Sequence, residues 1–138
     1  PTTNRPVLLQ ERIFTETEIQ HMGQDEFLSL LNDIKRKLPK TSDLKKIPEE
    51  ALHTTPPLVL EAGRNLGLIK EILKIHESFE SMTLPFYEAC AQNAEGVTPV
   101  RALCLTNLIE LNKKNGRKFN LRDYPQNIIN LSKMVTEI

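Results

Sequence analysis

Apolar residues recur at intervals of three and four positions through most of this chain, and prolines cut the pattern into separate stretches. The clearest early stretch ends at Pro39 and carries Phe27, Leu28, Leu30, Leu31, Ile34 and Leu38. Side chains at that spacing lie on one face of an α-helix, and such a face is stable only when another element covers it. The sequence therefore predicts helices packed on helices.

Helix-start signals mark the region before this proline. Thr15 and Glu18 have the spacing of a capping box, in which the two side chains cap each other's backbone amides. Gly23 leaves open whether residues 16–38 form one helix or a short turn followed by a longer helix capped by Asp25. Residues 39–57 hold four prolines, which predicts a connector with at most one short helix, near residues 49–52.

Four further helical segments are predicted in the second half. A wide apolar stripe from Leu58 to about Met82 predicts a central helix that is touched on more than one side. Pro85 begins a segment over residues 86–94 that Gly96 closes. Thr98 and Pro99 begin the next helix as capping hydroxyl and first-turn proline, and Asn115 and Gly116 end it. The last helix begins near Tyr124 and Pro125.

The predicted fold is all-α, an irregular, partly orthogonal bundle of five or six helices of unequal length. Residues 1–14 are predicted to form an N-terminal arm, and residues 15–138 a single helical domain. No pair of alternating strands is predicted anywhere in the chain. A domain of 138 residues buries enough surface to fold around one core without a metal or a disulfide.

Cysteine usage and hydropathy bear on the compartment. Cys90 and Cys104 lie among apolar neighbours at a spacing that matches no paired metal or redox motif, so we expect two free, buried thiols and a reducing compartment. The apolar runs are too short for a membrane span, and the start does not resemble a signal peptide. These features predict a cytoplasmic or nuclear protein. The first residue is proline rather than methionine, which is typical of a processed chain or a piece of a longer one.

The sequence lacks the phosphate-loop, dinucleotide-binding, zinc-protease and serine-hydrolase motifs, so we expect no catalytic residue, no cofactor and no metal. Glu18 with His21, and Glu50 with His53, have the spacing of carboxylate and imidazole ligands in di-iron bundles, but solvated charge pairs explain them better. A cysteine paired with a histidine is the other catalytic alternative. His76 is expected to be a hydrogen-bonded core or boundary residue.

Gly63 and Gly67 lie four positions apart on the predicted central helix, where missing side chains let another backbone approach closely. A tight helix crossing within the chain is the favoured interpretation. A seam between two copies in a homo-oligomer is the alternative.

The net charge is zero, but its distribution along the chain is uneven. Residues 35–46 carry +5 and residues 98–138 carry +4, whereas residues 1–34 and 47–97 carry −4 and −5. The candidate partner-binding residues are cations of the two positive stretches and one aromatic residue in the second: Lys35, Arg36, Lys37, Lys40, Lys45, Lys46, Lys113, Lys114, Arg117, Lys118, Phe119 and Arg122. If the two segments converge, they form a patch that attracts phosphate or an acidic protein surface. Otherwise they only complement helix dipoles and stay solvated.

The leading functional hypothesis is a noncatalytic helical protein-protein interaction module, serving as an adaptor, an assembly subunit or a regulatory domain. The alternative is a nucleic-acid-binding accessory or regulatory protein that uses the basic segments 35–46 and 113–122. Further contact candidates are the connector 117–123 and the arm with Val7, Leu8, Leu9, Ile13 and Phe14.

Overall fold

The apolar periodicity is realised as an all-α fold in the computed structural model, which describes residues 7–9, 12–44 and 57–137. Within those ranges seven α-helices follow a short antiparallel hairpin of β1 (Val7–Leu9) and β2 (Arg12–Phe14). The helices are α1 (Glu16–Gln20), α2 (Gln24–Lys37), α3 (Thr41–Leu44), α4 (Pro57–Ile75), α5 (Glu80–Gln92), α6 (Thr98–Lys114) and α7 (Gln126–Glu137). The predicted all-α class is confirmed, with more helices than expected because α1 and α3 are single turns.

The hairpin corrects the expectation that no strands pair. Each strand has only three residues, too few to show the alternation by which a strand is recognised in sequence. The pairing places Val7 opposite Phe14, and β1 contacts α4. Phe14 is 3% exposed and belongs to the core, so the described part of the predicted arm packs on the helices.

The capping box is confirmed, and Gly23 separates two helices. The Thr15 hydroxyl accepts a hydrogen bond from the Glu18 amide at 3.2 Å at the start of α1. Gly23, rather than Asp25, is the residue before α2. Leu38 then turns to an extended conformation, because the proline after it disfavours the helical one. The short helix expected near residues 49–52 lies outside the described residues.

The predicted helix from Leu58 to Met82 is wrong, because the chain leaves the helix at His76. This residue has φ −116° and ψ 71°, and a 3₁₀ turn, Glu77–Phe79, follows it before α5 begins. A His76 ring nitrogen, Nε2, lies 2.5 Å from the Ile19 carbonyl oxygen, which confirms the expected hydrogen-bonded boundary residue. Pro85 consequently lies inside α5 and does not begin a separate segment.

The helices α5 and α6 run antiparallel. At one end of the pair, Arg101 Nε donates to the Ala91 carbonyl at 2.9 Å. At the other end, Lys114 lies 3.0 Å from a Glu80 carboxylate oxygen. Because α4 and α7 also contact α6, five consecutive residues of α6, Cys104 to Leu108, are buried. Besides α4, which was predicted to be covered on more than one side, α6 is therefore covered on several sides.

The start of α6 differs in detail from the prediction. Val97 is the residue before the helix, no side chain caps it, and Thr98 is already helical. Pro99 occupies the first turn as expected, where its missing amide hydrogen costs nothing. The predicted exit at Asn115 and Gly116 is confirmed, with Gly116 at φ +66°, a conformation that favours glycine.

The prediction of two free thiols is wrong, because Cys90 and Cys104 form a disulfide that joins α5 to α6. The antiparallel pairing brings their Cα atoms to 6.0 Å, although they are 14 positions apart in sequence. The spacing alone carries no such signal, since it depends on where the intervening turn reverses the chain. Disulfides persist mainly in oxidising compartments, so the argument for a reducing compartment no longer holds. The compartment itself stays a prediction.

The favoured interpretation of Gly63 and Gly67 is also wrong. A Cβ atom added at either position would meet no atom within 4 Å among the described residues. No other backbone of the described chain therefore approaches α4 at these positions.

We expect loss of the disulfide to lower the free energy of unfolding by about 2–4 kcal/mol, because the bridge closes a loop of about 15 residues. The Cys90→Ala/Cys104→Ala variant should melt on the order of 10 °C lower than the unreduced protein. Thermal scans with and without dithiothreitol measure this, and the variant should not respond to the reductant. Free thiols titrated in the unfolded, unreduced protein would contradict the bridge.

We expect Gly63→Ala and Gly67→Ala each to raise the free energy of unfolding by about 1 kcal/mol, since alanine favours a helix and the space is open. Urea unfolding of each variant and sedimentation of the double variant measure this. Destabilisation, or a dimer in the parent that the double variant loses, would show that the glycines make a close contact.

Candidate functional site

The candidate cations form two groups in the described chain. The α2 basic cluster consists of Lys35, Arg36, Lys37 and Lys40, at the C-terminal end of α2. The α6 basic cluster consists of Lys113, Lys114, Arg117 and Lys118, at the C-terminal end of α6. Lys45 and Lys46 lie outside the described residues.

The two clusters lie at opposite ends of α5. Lys35 borders a groove with Gln92 and Asn93 at the C-terminal end of this helix. Lys114 binds Glu80, the first residue of the same helix. Twelve residue steps of an α-helix span about 18 Å, which exceeds the Debye length of about 8 Å at physiological salt. The described cations therefore do not converge on one phosphate-binding patch.

Carboxylates neutralise part of the α6 basic cluster. Lys114 Nζ lies 3.1 Å from Glu77 and 3.0 Å from Glu80. Hydrogen bonds to Glu80, and then to Glu77, raise the pKa of Lys114 above its usual value. Arg117 borders a polar cleft of about 390 Å³ that both glutamates also line. This end of the bundle is a mixed-charge surface.

The one aromatic candidate, Phe119, is partly buried. Phe119 packs against the core and stacks on Tyr124 with ring centroids 5.6 Å apart. Burial, and then the charge of Glu88, raise the pKa of Tyr124. Arg122 lies two residues before this tyrosine, in the 3₁₀ turn Leu121–Asp123. Phe119 therefore acts in the described chain as a core-covering residue.

The α2 basic cluster is exposed and largely unpaired. Arg36 forms an ion pair with Asp33. Among the described residues, no carboxylate lies within 4.0 Å of the ammonium groups of Lys35, Lys37 and Lys40, although the Asp43 carboxylate accepts a hydrogen bond from the Lys40 backbone amide at 2.9 Å. Their charges thus remain available to a partner.

A groove of about 340 Å³ adjoins this cluster, between the C-terminal ends of α2 and α5. Lys35 and Leu38 form its α2 side, and Ala89 and Cys90 supply apolar surface from α5. The sequence does not reveal the groove, because α2 and α5 are about 50 positions apart and only their packing brings them together.

Two contacts fix the walls of this groove. The Thr41 amide donates to the Glu95 carbonyl at 2.8 Å, and Lys40 pairs with Gly96 as an isolated bridge. In the α5 wall, Cys90 is covalently joined to α6. The end of α2 is therefore anchored to the turn between α5 and α6.

The geometry gives little support to the catalytic alternatives, a cysteine paired with a histidine or a metal site of paired glutamates and histidines. Both sulfurs are in the disulfide, so neither is a free nucleophile while the bridge is intact. A His21 ring nitrogen hydrogen bonds with the Thr17 carbonyl at 2.9 Å, and Glu50 with His53 lies outside the described residues. Among the residues that the structure describes, no three metal-ligating side chains are grouped.

A further cavity, between α4, α5 and α6, was not predicted. Tyr87 is 1% exposed and lines it together with residues from all three helices. Burial, and then the negative charge of Glu110, raise the pKa of Tyr87 far above its usual value of 10.0. Sequence reasoning missed this site because Tyr87 looks like one more apolar position of a helix.

The chain was compared with models of protein families, with curated proteins and with solved structures, and none of the three comparisons finds a match. In the described ranges, each helix falls short of the length or the apolar character that crossing a bilayer demands.

We expect stability to fall as the pH rises above about 10, because the folded state holds Tyr87 protonated after the unfolded chain begins to ionise. The loss is at most about 1.4 kcal/mol per pH unit for one tyrosine. When urea unfolding is measured across this pH range, the free energy of unfolding should fall less steeply with pH for Tyr87→Phe than for the parent. Tyr124→Phe is the matched control and should keep the pH dependence that Tyr87 causes. If the free energy of unfolding fell equally steeply with pH in the parent and in Tyr87→Phe, Tyr87 would not be its source.

Proposed function

We propose that this protein is a noncatalytic protein-interaction module whose partner binds the groove between α2 and α5. The observation that carries the proposal is the combination of apolar groove walls, Leu38 and Ala89, with the unpaired lysines of the α2 basic cluster. The occupant that fits is an acidic partner segment that inserts one apolar side chain.

Charge complementarity supports an acidic occupant. Lys35 lies at the groove itself, and Lys37 and Lys40 are exposed close by on the same end of α2. An acidic segment that approaches them forms new ion pairs without breaking old ones, unlike one that approaches Lys114, whose charge is already bound by two glutamates. Such complementarity raises association rates and selects partners by charge.

The fixed walls support a binding role. A groove that keeps its shape does not lose conformational entropy when a partner enters, so more of the contact energy appears as affinity. The bond from Thr41 to Glu95 ties the α2 side to the turn after α5, and the Cys90 disulfide fixes the α5 side against α6. The apolar part of the groove then supplies the burial that exposed ion pairs alone do not provide.

The nucleic-acid alternative lacks this geometric support. Duplex binding gains affinity from many phosphate contacts at once. The described cations are split between two ends of α5, and Lys114 is neutralised at one of them. Nucleic-acid binding stays an untested prediction, and duplex DNA serves as a competing ligand in the binding test.

We expect a fluorescein-labelled peptide with one phenylalanine between glutamates to bind with a dissociation constant on the order of 10–100 μM. Anisotropy titrations at low and high salt should show weaker binding at high salt, because exposed ion pairs are screened. Peptides with glutamine for glutamate, or alanine for phenylalanine, should bind more weakly.

The Lys35→Glu/Lys37→Glu variant should lose roughly tenfold or more in affinity for this peptide, through repulsion at the groove. Lys113→Glu/Lys118→Glu makes the same charge change at the other end of α5 and should bind within about twofold of the parent. Equal losses in both variants, or no binding of the peptide at all, would refute the groove. Binding of duplex DNA in place of the peptide would favour the alternative.

A further inference from the structure

The cavity between α4, α5 and α6 is built by three helices and has a volume of about 260 Å³. Leu73 of α4 and Leu111 of α6 form apolar walls, and Tyr87 enters from α5. It shares none of its lining residues with the groove between α2 and α5, so a role for this cavity does not depend on the proposed function.

Two polar side chains from residues of low exposure line this cavity. Tyr87 is 1% exposed and Asn107 is 7% exposed. Neither the Tyr87 hydroxyl nor the Asn107 amide forms a hydrogen bond with any residue that the structure describes. By contrast, the neighbouring buried Thr106 hydroxyl donates to the Ala102 carbonyl at 2.9 Å. In the described part of the chain, the one buried side-chain polar atom without a partner is Asn65 Oδ1, so the polar atoms of Tyr87 and Asn107 are open to the cavity, where water or a ligand can supply their hydrogen bonds.

We propose that this cavity is a binding site for a small neutral aromatic molecule with one hydrogen-bonding group. The ring lies between the leucine walls, and the polar group reaches Tyr87 and Asn107. Both side chains can donate and accept, so a hydroxyl or a ring N–H of the ligand finds a partner in either.

The volume sets the size of the ligand. An apolar cavity of about 150 Å³ holds benzene, so the larger space here suits a bicyclic ring or a substituted single ring. A site with apolar walls and a few placed polar groups is the usual design of a small-molecule site.

The charges at the mouth favour a neutral ligand over an ion. The cavity is bordered by three lysines, and each has a carboxylate partner. Lys70 lies 3.7 Å from Glu110, Lys114 lies 3.0 Å from Glu80, and Lys74 pairs with Glu71 at 3.1 Å. A charged ligand would have to displace one of these pairs, whereas a neutral one enters past them.

Indole is the probe for the test, and indene, which has the same shape but no N–H, is its matched control. In ¹H–¹⁵N correlation spectra of the whole protein, we expect indole to shift amides around Leu73, Tyr87 and Asn107, with a dissociation constant on the order of 1 mM. Indene should bind about threefold to tenfold more weakly, because it leaves the polar pair unsatisfied.

Substitutions test whether Tyr87 and Asn107 contact the ligand. Tyr87→Phe and Asn107→Leu keep the approximate volume and should reduce indole binding to the level of indene, whereas Tyr124→Phe should bind like the parent. The proposal is overturned if indole shifts no cavity residue up to its solubility, or shifts only groove residues such as Leu38 and Ala89. Equal binding of indole and indene by the parent protein, a result that needs no variant, overturns the role of the polar pair.

Discussion

The enclosure of α6 by α4, α5 and α7 is the constraint on which the rest of the structure depends. Five consecutive residues of this helix are buried, so even its polar positions must find partners inside the fold. The Thr106 hydroxyl finds such partners, because it donates hydrogen bonds to the carbonyls of Ala102 and Ser132. Asn107, one residue further, faces the cavity instead. The disulfide from Cys104 to Cys90 then fixes α5 against α6 and so holds the walls of both candidate sites.

Ion pairing decides which of the many surface charges are available to a partner. In sequence, the two basic segments look equivalent, since residues 35–46 and residues 113–122 each carry a net charge of +5. In the fold, Lys114 meets two glutamates where α5 begins, whereas Lys35 and Lys37 meet none among the described residues. The distinction arises because α5 is acidic at its N-terminal end, and that end packs beside the last turn of α6.

Local signals predicted most of the helices and few of the contacts between them. The Thr15 capping box and the Gly116 exit depend on residues within one or two turns, and both are as predicted. At the helix break, His76 bonds with the Ile19 carbonyl, 57 positions away, and no local residue in the sequence indicates this contact. Of the candidate site, the cations at the end of α2 were predicted, but the groove beside them was not, because its other wall belongs to α5.

The sequence by itself determined that this chain forms helices, where several of them begin and end, and where its cations are concentrated, because periodicity, caps and prolines act over a few residues. Only the tertiary structure decided that Cys90 meets Cys104, that Gly63 faces open space and that Tyr87 lines a cavity. Those outcomes depend on which helix faces lie against each other, and that choice is made by the packing of the whole core rather than by any single segment.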